Sequence, residues 1–143
     1  MSVTATRNQY VVFTINQQLF SLPINEVVEI LRPQTVTQIP GIKSHIQGVI
    51  NLRGKIIPVV KMHGQLNSDA KPNKKNRIVI VQGDSENIGV TVDEVKMVTY
   101  VEQENIEPPP GTKVDEDFFH GFVKLDGQVI GILNLEKVLY PTE

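Results

Sequence analysis

Two stretches of this chain are the same stretch. "GVINLRGKIIPVV", residues 48–60, and "GFVKLDGQVIGIL", residues 121–133, align 73 positions apart, with Gly48/Gly121, Leu52/Leu125 and Gly54/Gly127 identical. A second match sets Asn25-Glu26-Val27 against Asp93-Glu94-Val95, 68 positions apart. Internal similarity of this kind means one supersecondary unit used twice. The chain has 143 residues, and a fold of that size buries roughly 70% of its unfolded surface. Half of it buries far less, so the two units are expected to share an apolar interface.

The unit itself is written in strands. Residues 10–15 and 19–22 are short β-favouring runs split by the polar break Asn16-Gln17-Gln18, which is hairpin length. In the second half, 77–82 and 88–92 repeat that arrangement around Gly83–Asn87. Residues 46–52 and 56–60 flank a turn at Arg53-Gly54 and are apolar enough on both faces to be central strands, with Pro58 keeping its missing N–H away from a ladder partner. Between them, Ile24, Val27, Val28 and Leu31 fall at i, i+3, i+4 and i+7, predicting a short helix that ends before Pro33, with Asn25, Glu26 and Glu29 outward. The polar, basic segment 67–76 reads as an exposed linker. Each unit is thus about five strands and a helical turn, which makes two small β-barrels the expected architecture, with strand exchange between them left open.

The turns differ in a telling way. Asp126-Gly127 is among the strongest hairpin signals, because both residues tolerate positive φ. At Arg53-Gly54 the glycine supplies the unusual backbone angle, and arginine adds nothing the turn requires. Either Arg53 is an ordinary solvated charge, or recognition put it there.

With Tyr10–Phe13, "LPINEVVEI" at 22–30, "GVTVDEV" at 89–95, "IEPPP" at 106–110 and "GFVKLDGQVIGILNLEKVL" at 121–139, the hairpin resembles the CheW family of bacterial chemotaxis adaptors over nearly the whole chain. The resemblance implies a mainly β fold of two packed five-stranded SH3-like β-barrels with short helical segments. That makes a single CheW-like domain over 1–143, with halves near 9–66 and 77–140. It also implies no catalysis and no cofactor. Its implied partners are the histidine kinase CheA, through that kinase's regulatory domain, and the cytoplasmic hairpin tip of methyl-accepting chemotaxis receptors. Residue by residue, the family's partner-binding positions fall on Arg53, on Val27 and Glu29 of the first helical segment, on Gly48, and on Ile78 and Val98. Taken alone, Val27, Ile78 and Val98 suit a core equally well, Glu29 an ordinary solvated face, and Gly48 a close approach of two backbones. One departure is that the family usually has Asp after Pro58-Val59-Val60, where this chain has Lys61-Met62-His63.

Composition narrows the other function classes. There is no cysteine, so disulfides, Cys-ligated zinc and thiol chemistry are absent, and a reducing, cytoplasmic setting is expected. No leader opens the chain, and no run reaches the roughly 18 apolar residues of a membrane span, so a membrane would be reached through a partner. His45, His63 and His120 form no metal-ligand spacing, and no G-x-S-x-G, P-loop or G-x-G-x-x-G pattern occurs. Asp115-Glu116-Asp117 reads as a solvated loop, and Pro108-Pro109-Pro110 as a stiff one. The different class to weigh is a small nucleic-acid-binding barrel using Lys71, Lys74, Lys75 and Arg77. Against it stand a net charge of −2 and the absence of aromatic residues among those bases.

Overall fold

The structure is a computed structural model, and it describes residues 7–41, 45–60, 73–109 and 118–140. Ten strands run through it: β1 (Arg7–Ile15), β2 (Gln18–Pro23), β3 (Val27–Leu31), β4 (Ile46–Leu52), β5 (Lys55–Val60), β6 (Arg77–Gln82), β7 (Asn87–Val92), β8 (Glu94–Glu102), β9 (Phe119–Leu125) and β10 (Gln128–Leu133). A 3-10 turn spans Ile24–Glu26, another Gln103–Asn105, and one helix, α1, covers Leu135–Leu139.

The strands form two five-stranded sheets ordered β8-β1-β2-β10-β9 and β3-β6-β7-β5-β4. These orders are the same plan, with β6-β7 standing in the second sheet where β1-β2 stand in the first. In each sheet the two hairpins meet through a parallel seam, β10 on β2 and β5 on β7. The sheets do not follow the halves 9–66 and 77–140. The second sheet is the continuous run β3–β7, and the first combines the opening hairpin with β8–β10. The chain passes between sheets at Ile24–Glu26 and at Asp93, which are the two positions matched by the 68-residue repeat.

Burial is layered accordingly. Tyr10, Val12, Val101, Val123, Ile130 and Ile132 fill the first sheet's concave side. Ile50, Ile57, Val59, Ile78 and Ile80 fill the second's, with Leu31 and Leu52 against them. Leu31 and Leu52 belong to opposite edge strands, and so do Val101 and Val123, so each sheet curls until its edges share one cluster. Between the sheets lies the largest cluster, built from Phe13, Phe20, Leu22, Val79, Val90, Leu133 and others, and closed by Leu135, Val138 and Leu139 of α1. Strands such as β6, where Ile78 and Ile80 face one cluster and Val79 and Val81 the other, are buried on both faces, which is why they read as unbroken apolar runs.

Two sequence expectations are corrected. Residues 27–31 are a strand whose exposure alternates, Val28 and Ile30 outward. Val27, Val28 and Ile30 are β-branched, Val28 and Ile30 alternate with Val27 and Leu31 on the two faces of the strand, and only three residues turn as 3-10 before them. β4 is an edge strand with one face half open, and β5 lies inside it. The linker is described only from Asn73, and Lys61-Met62-His63, Lys71, Asp115-Glu116-Asp117 and Pro110 lie outside the described residues.

Candidate recognition surface

Arg53 and Gly54 both have positive φ, +51° and +87°, and Asp126 and Gly127 repeat this at +52° and +79°. Two successive left-handed residues make the hairpin turn that matches strand twist, and Asn, Asp or Gly is favoured at both positions. Arg53 therefore does more than ride on its glycine: it occupies a conformation that costs an ordinary side chain about 1–2 kcal/mol. The turn is held by Asn51, whose Oδ1 accepts the Gly54 N–H at 2.9 Å. The guanidinium, 70% exposed, donates to Oε2 of Glu29 on β3, the opposite edge of the same sheet. This ion pair bridges the edges where the sheet curls closed.

The structure sorts the six expected residues. Arg53 and Glu29 meet. Val27 shares β3 with Glu29 and packs partly against the inter-sheet core. Val98 is 49% exposed on β8, the edge strand of the other sheet. Gly48 and Ile78 are below the surface. A Cβ on Gly48 would run into the carbonyl oxygen of Thr37 and come within 2.8 Å of the Val36 side chain, and Val49 exchanges backbone hydrogen bonds with Thr37 at that crossing. Ile78 is 3% exposed and floors a groove of about 200 Å³ with Val36 and Thr91. Both set the shape under the hairpin and present no surface of their own, because a close backbone crossing needs glycine and a strand buried on both faces needs aliphatics.

Other exposed residues were not singled out from sequence. Val28 and Ile30 project from β3, Met97 and Tyr100 from β8, and Ile56 and Val129 from the two matched hairpins. Ile56 and Val129 are themselves 73 residues apart, and period two along 27–31 would have placed Val28 and Ile30 outward. The basic segment offers less than its composition suggested. Arg77 donates to the backbone carbonyls of Lys74 at 2.9 Å and Asn76 at 2.7 Å, so it caps its own turn. Among the described residues no group of histidines and carboxylates is arranged to hold a metal, and no helix is long and apolar enough to cross a membrane.

A family model described as the CheW-like domain matches residues 9–143. This chain belongs to the CheW family. Chemotaxis protein CheW of Bacillus subtilis is 31% identical over 137 residues, covering 94% of this chain and 88% of that protein. Chemotaxis protein CheW of Treponema pallidum is 26% identical over 150 residues, covering all of this chain and 88% of its own. Among solved structures, the scaffolding protein TtCheW from Thermoanaerobacter tengcongensis superposes with a TM-score of 0.85 at 35% identity, covering 93% of this chain and 92% of that one. The two curled sheets are thus the SH3-like pair that CheW proteins share.

Proposed function

We propose that this chain is a non-enzymatic chemotaxis adaptor that couples the regulatory domain of the histidine kinase CheA to the cytoplasmic hairpin tips of methyl-accepting receptors, acting in the cytoplasm at receptor arrays. The observation that carries this reading is an arginine kept at a turn position that disfavours it, exposed and paired with Glu29 of β3, a strand that also carries the exposed aliphatics Val28 and Ile30. Aliphatic surface supplies affinity when covered, while charges at its rim fix register and partner choice. A forked guanidinium already held by one carboxylate keeps further donors for a carboxylate or carbonyl of a partner.

In this reading Arg53, Glu29, Val27 and Val98 touch partners, and Gly48 and Ile78 act by holding the hairpin and β6 in place. Arg53→Ala removes no core atoms, and an exposed ion pair contributes about 0.2–1 kcal/mol, so the variant is expected to fold normally. Its co-sedimentation with receptor fragments and CheA regulatory domain should fall on the order of tenfold, the usual scale for an interface arginine. Unfolding seen by circular dichroism would make Arg53 structural, and undiminished assembly would make it an ordinary surface charge.

A further inference from the structure

Beside the docking face lies a groove of about 500 Å³ between the start of β1, the 3-10 turn 24–26 and β8. Tyr10 and Tyr100 stand in its walls with the amides of Asn8, Gln9 and Asn25, and Glu26 contributes its carboxylate. Among the described side chains no lysine or arginine lines it. We propose that this groove receives a guanidinium group, an arginine side chain presented by the partner docked on the adjoining β3 and β8 surface. The assignment rests on the docking reading above and adds the chemistry of one contact to it.

Three features point to a cation. Oε1 of Glu26 is shielded from water and has no hydrogen-bond partner, so the charge that this carboxylate brings to the groove wall is left uncompensated on its inner side. Burial pushes the Glu26 carboxyl above its ordinary range, with His120 on β9 pulling the other way. Burial and the Glu26 charge push the Tyr10 hydroxyl up as well, so burial outweighs the one cationic influence, His120, at the groove wall. An apolar side chain would cover these polar groups without pairing them, and an anion would be repelled.

Guanidinium suits the walls better than ammonium. It is planar and weakly hydrated, stacks on tyrosine faces, and carries five donors for a carboxylate and several amide oxygens at once. Glu26 directly precedes Val27, and Tyr100 is two residues from Val98 on the same strand. The groove therefore continues the surface already proposed for docking.

The test is a titration of the full chain, followed by NMR, with N-acetyl-arginine methylamide at millimolar concentration. The probe should move the Glu26 carboxyl and the Tyr10 and Tyr100 ring resonances saturably. The neutral isostere N-acetyl-citrulline methylamide should leave them in place, and Glu26→Gln should weaken the response at least fivefold while leaving the spectrum of the fold intact. Absence of shifts, equal shifts with citrulline or with the lysine analogue, or an unchanged response in Glu26→Gln would overturn the assignment. Co-sedimentation with receptor fragments separates the two proposals. Docking that survives without any arginine response removes the subsite alone, and a specific arginine response without docking removes the adaptor reading while the subsite stands.

Discussion

The hairpins β4–β5 and β9–β10 share one backbone and carry opposite surfaces. Both turn through two left-handed residues. Both break register beside a glycine, with Gln47 and His120 as the unpaired residues. Both glycines meet a crossing segment through an isolated bridge, Thr37 on Val49 and Glu107 on Phe122, and a Cβ on Gly121 would lie 2.6 Å from the Glu107 carbonyl oxygen. The tips, however, carry Arg53 in one and Asp126 in the other, and Pro58 stands where the second hairpin has Gly131. What recurs is what the main chain needs, and what changes is what the main chain leaves free. Asp126 obeys the local preference of its turn, whereas Arg53 defies it, which is the contrast expected if Arg53 serves the recognition role proposed above.

The comparison can be broken most severely by cutting the chain. Fragments 9–66 and 77–140 should each be unfolded by circular dichroism and regain structure only when mixed, because β5 needs β7 and β2 needs β10; a half that folds alone would mean that the units are independent. Next come the crossing glycines. Gly48→Ala and Gly121→Ala should each destabilise by about 1–3 kcal/mol in chemical denaturation, the usual scale of overpacking. A clear loss for Gly121 with none for Gly48 would return Gly48 to the surface. At the tips, Arg53→Asn should change stability by less than about 1 kcal/mol, since a turn-favouring residue offsets the lost exposed pair, yet weaken receptor docking. Asp126→Asn should leave stability nearly untouched, and a matching loss of docking there would spread recognition over both tips.

The smallest effect is expected at Glu26, whose counterpart Glu94 is paired with Lys96 at 3.5 Å. Because burial raises the Glu26 carboxyl in the folded state, the native protein holds that proton more readily than the unfolded chain does. Its contribution to stability is present at acidic pH and is lost as pH rises through the raised value. Glu26→Gln should therefore stabilise modestly at pH 7, with the gain shrinking as pH falls through the carboxylate range. A gain independent of pH would show that the charge is not the cause.

Much of this was legible in the sequence because it is local. Hairpin breaks at 16–18, 53–54 and 126–127 follow from polar or turn residues between β-favouring runs, with Gln18 joining β2 in the structure, and the repeat declared a doubled plan. The residues 27–31 misled because Ile24, Val27, Val28 and Leu31 have helical spacing, while Val27/Leu31 and Val28/Ile30 also suit the two faces of a strand, and only the ladder of β3 on β6 decides between them. Which sheet receives each hairpin depends on strands scores of residues away, so no local pattern records it. The same holds for the pairing of Arg53 with Glu29, which exists only once the sheet has curled, and for Gly48 and Ile78, whose burial depends on what crosses above them.

One residue, Asp93, separates β7 from β8 where the chain changes sheets; its backbone N–H donates to the Thr14 carbonyl at 2.9 Å and its carboxylate accepts from Asn16 at 2.6 Å. With so short a passage beside an apolar core that both sheets share, any swivel of one lobe on the other would open that core, at a cost that close packing makes steep. A molecule that grips the β3 rim and another that grips the β8 rim are then held at a constant mutual bearing, as two walls are by a welded bracket. In an ordered lattice of many such copies, that constancy would set the repeat distance.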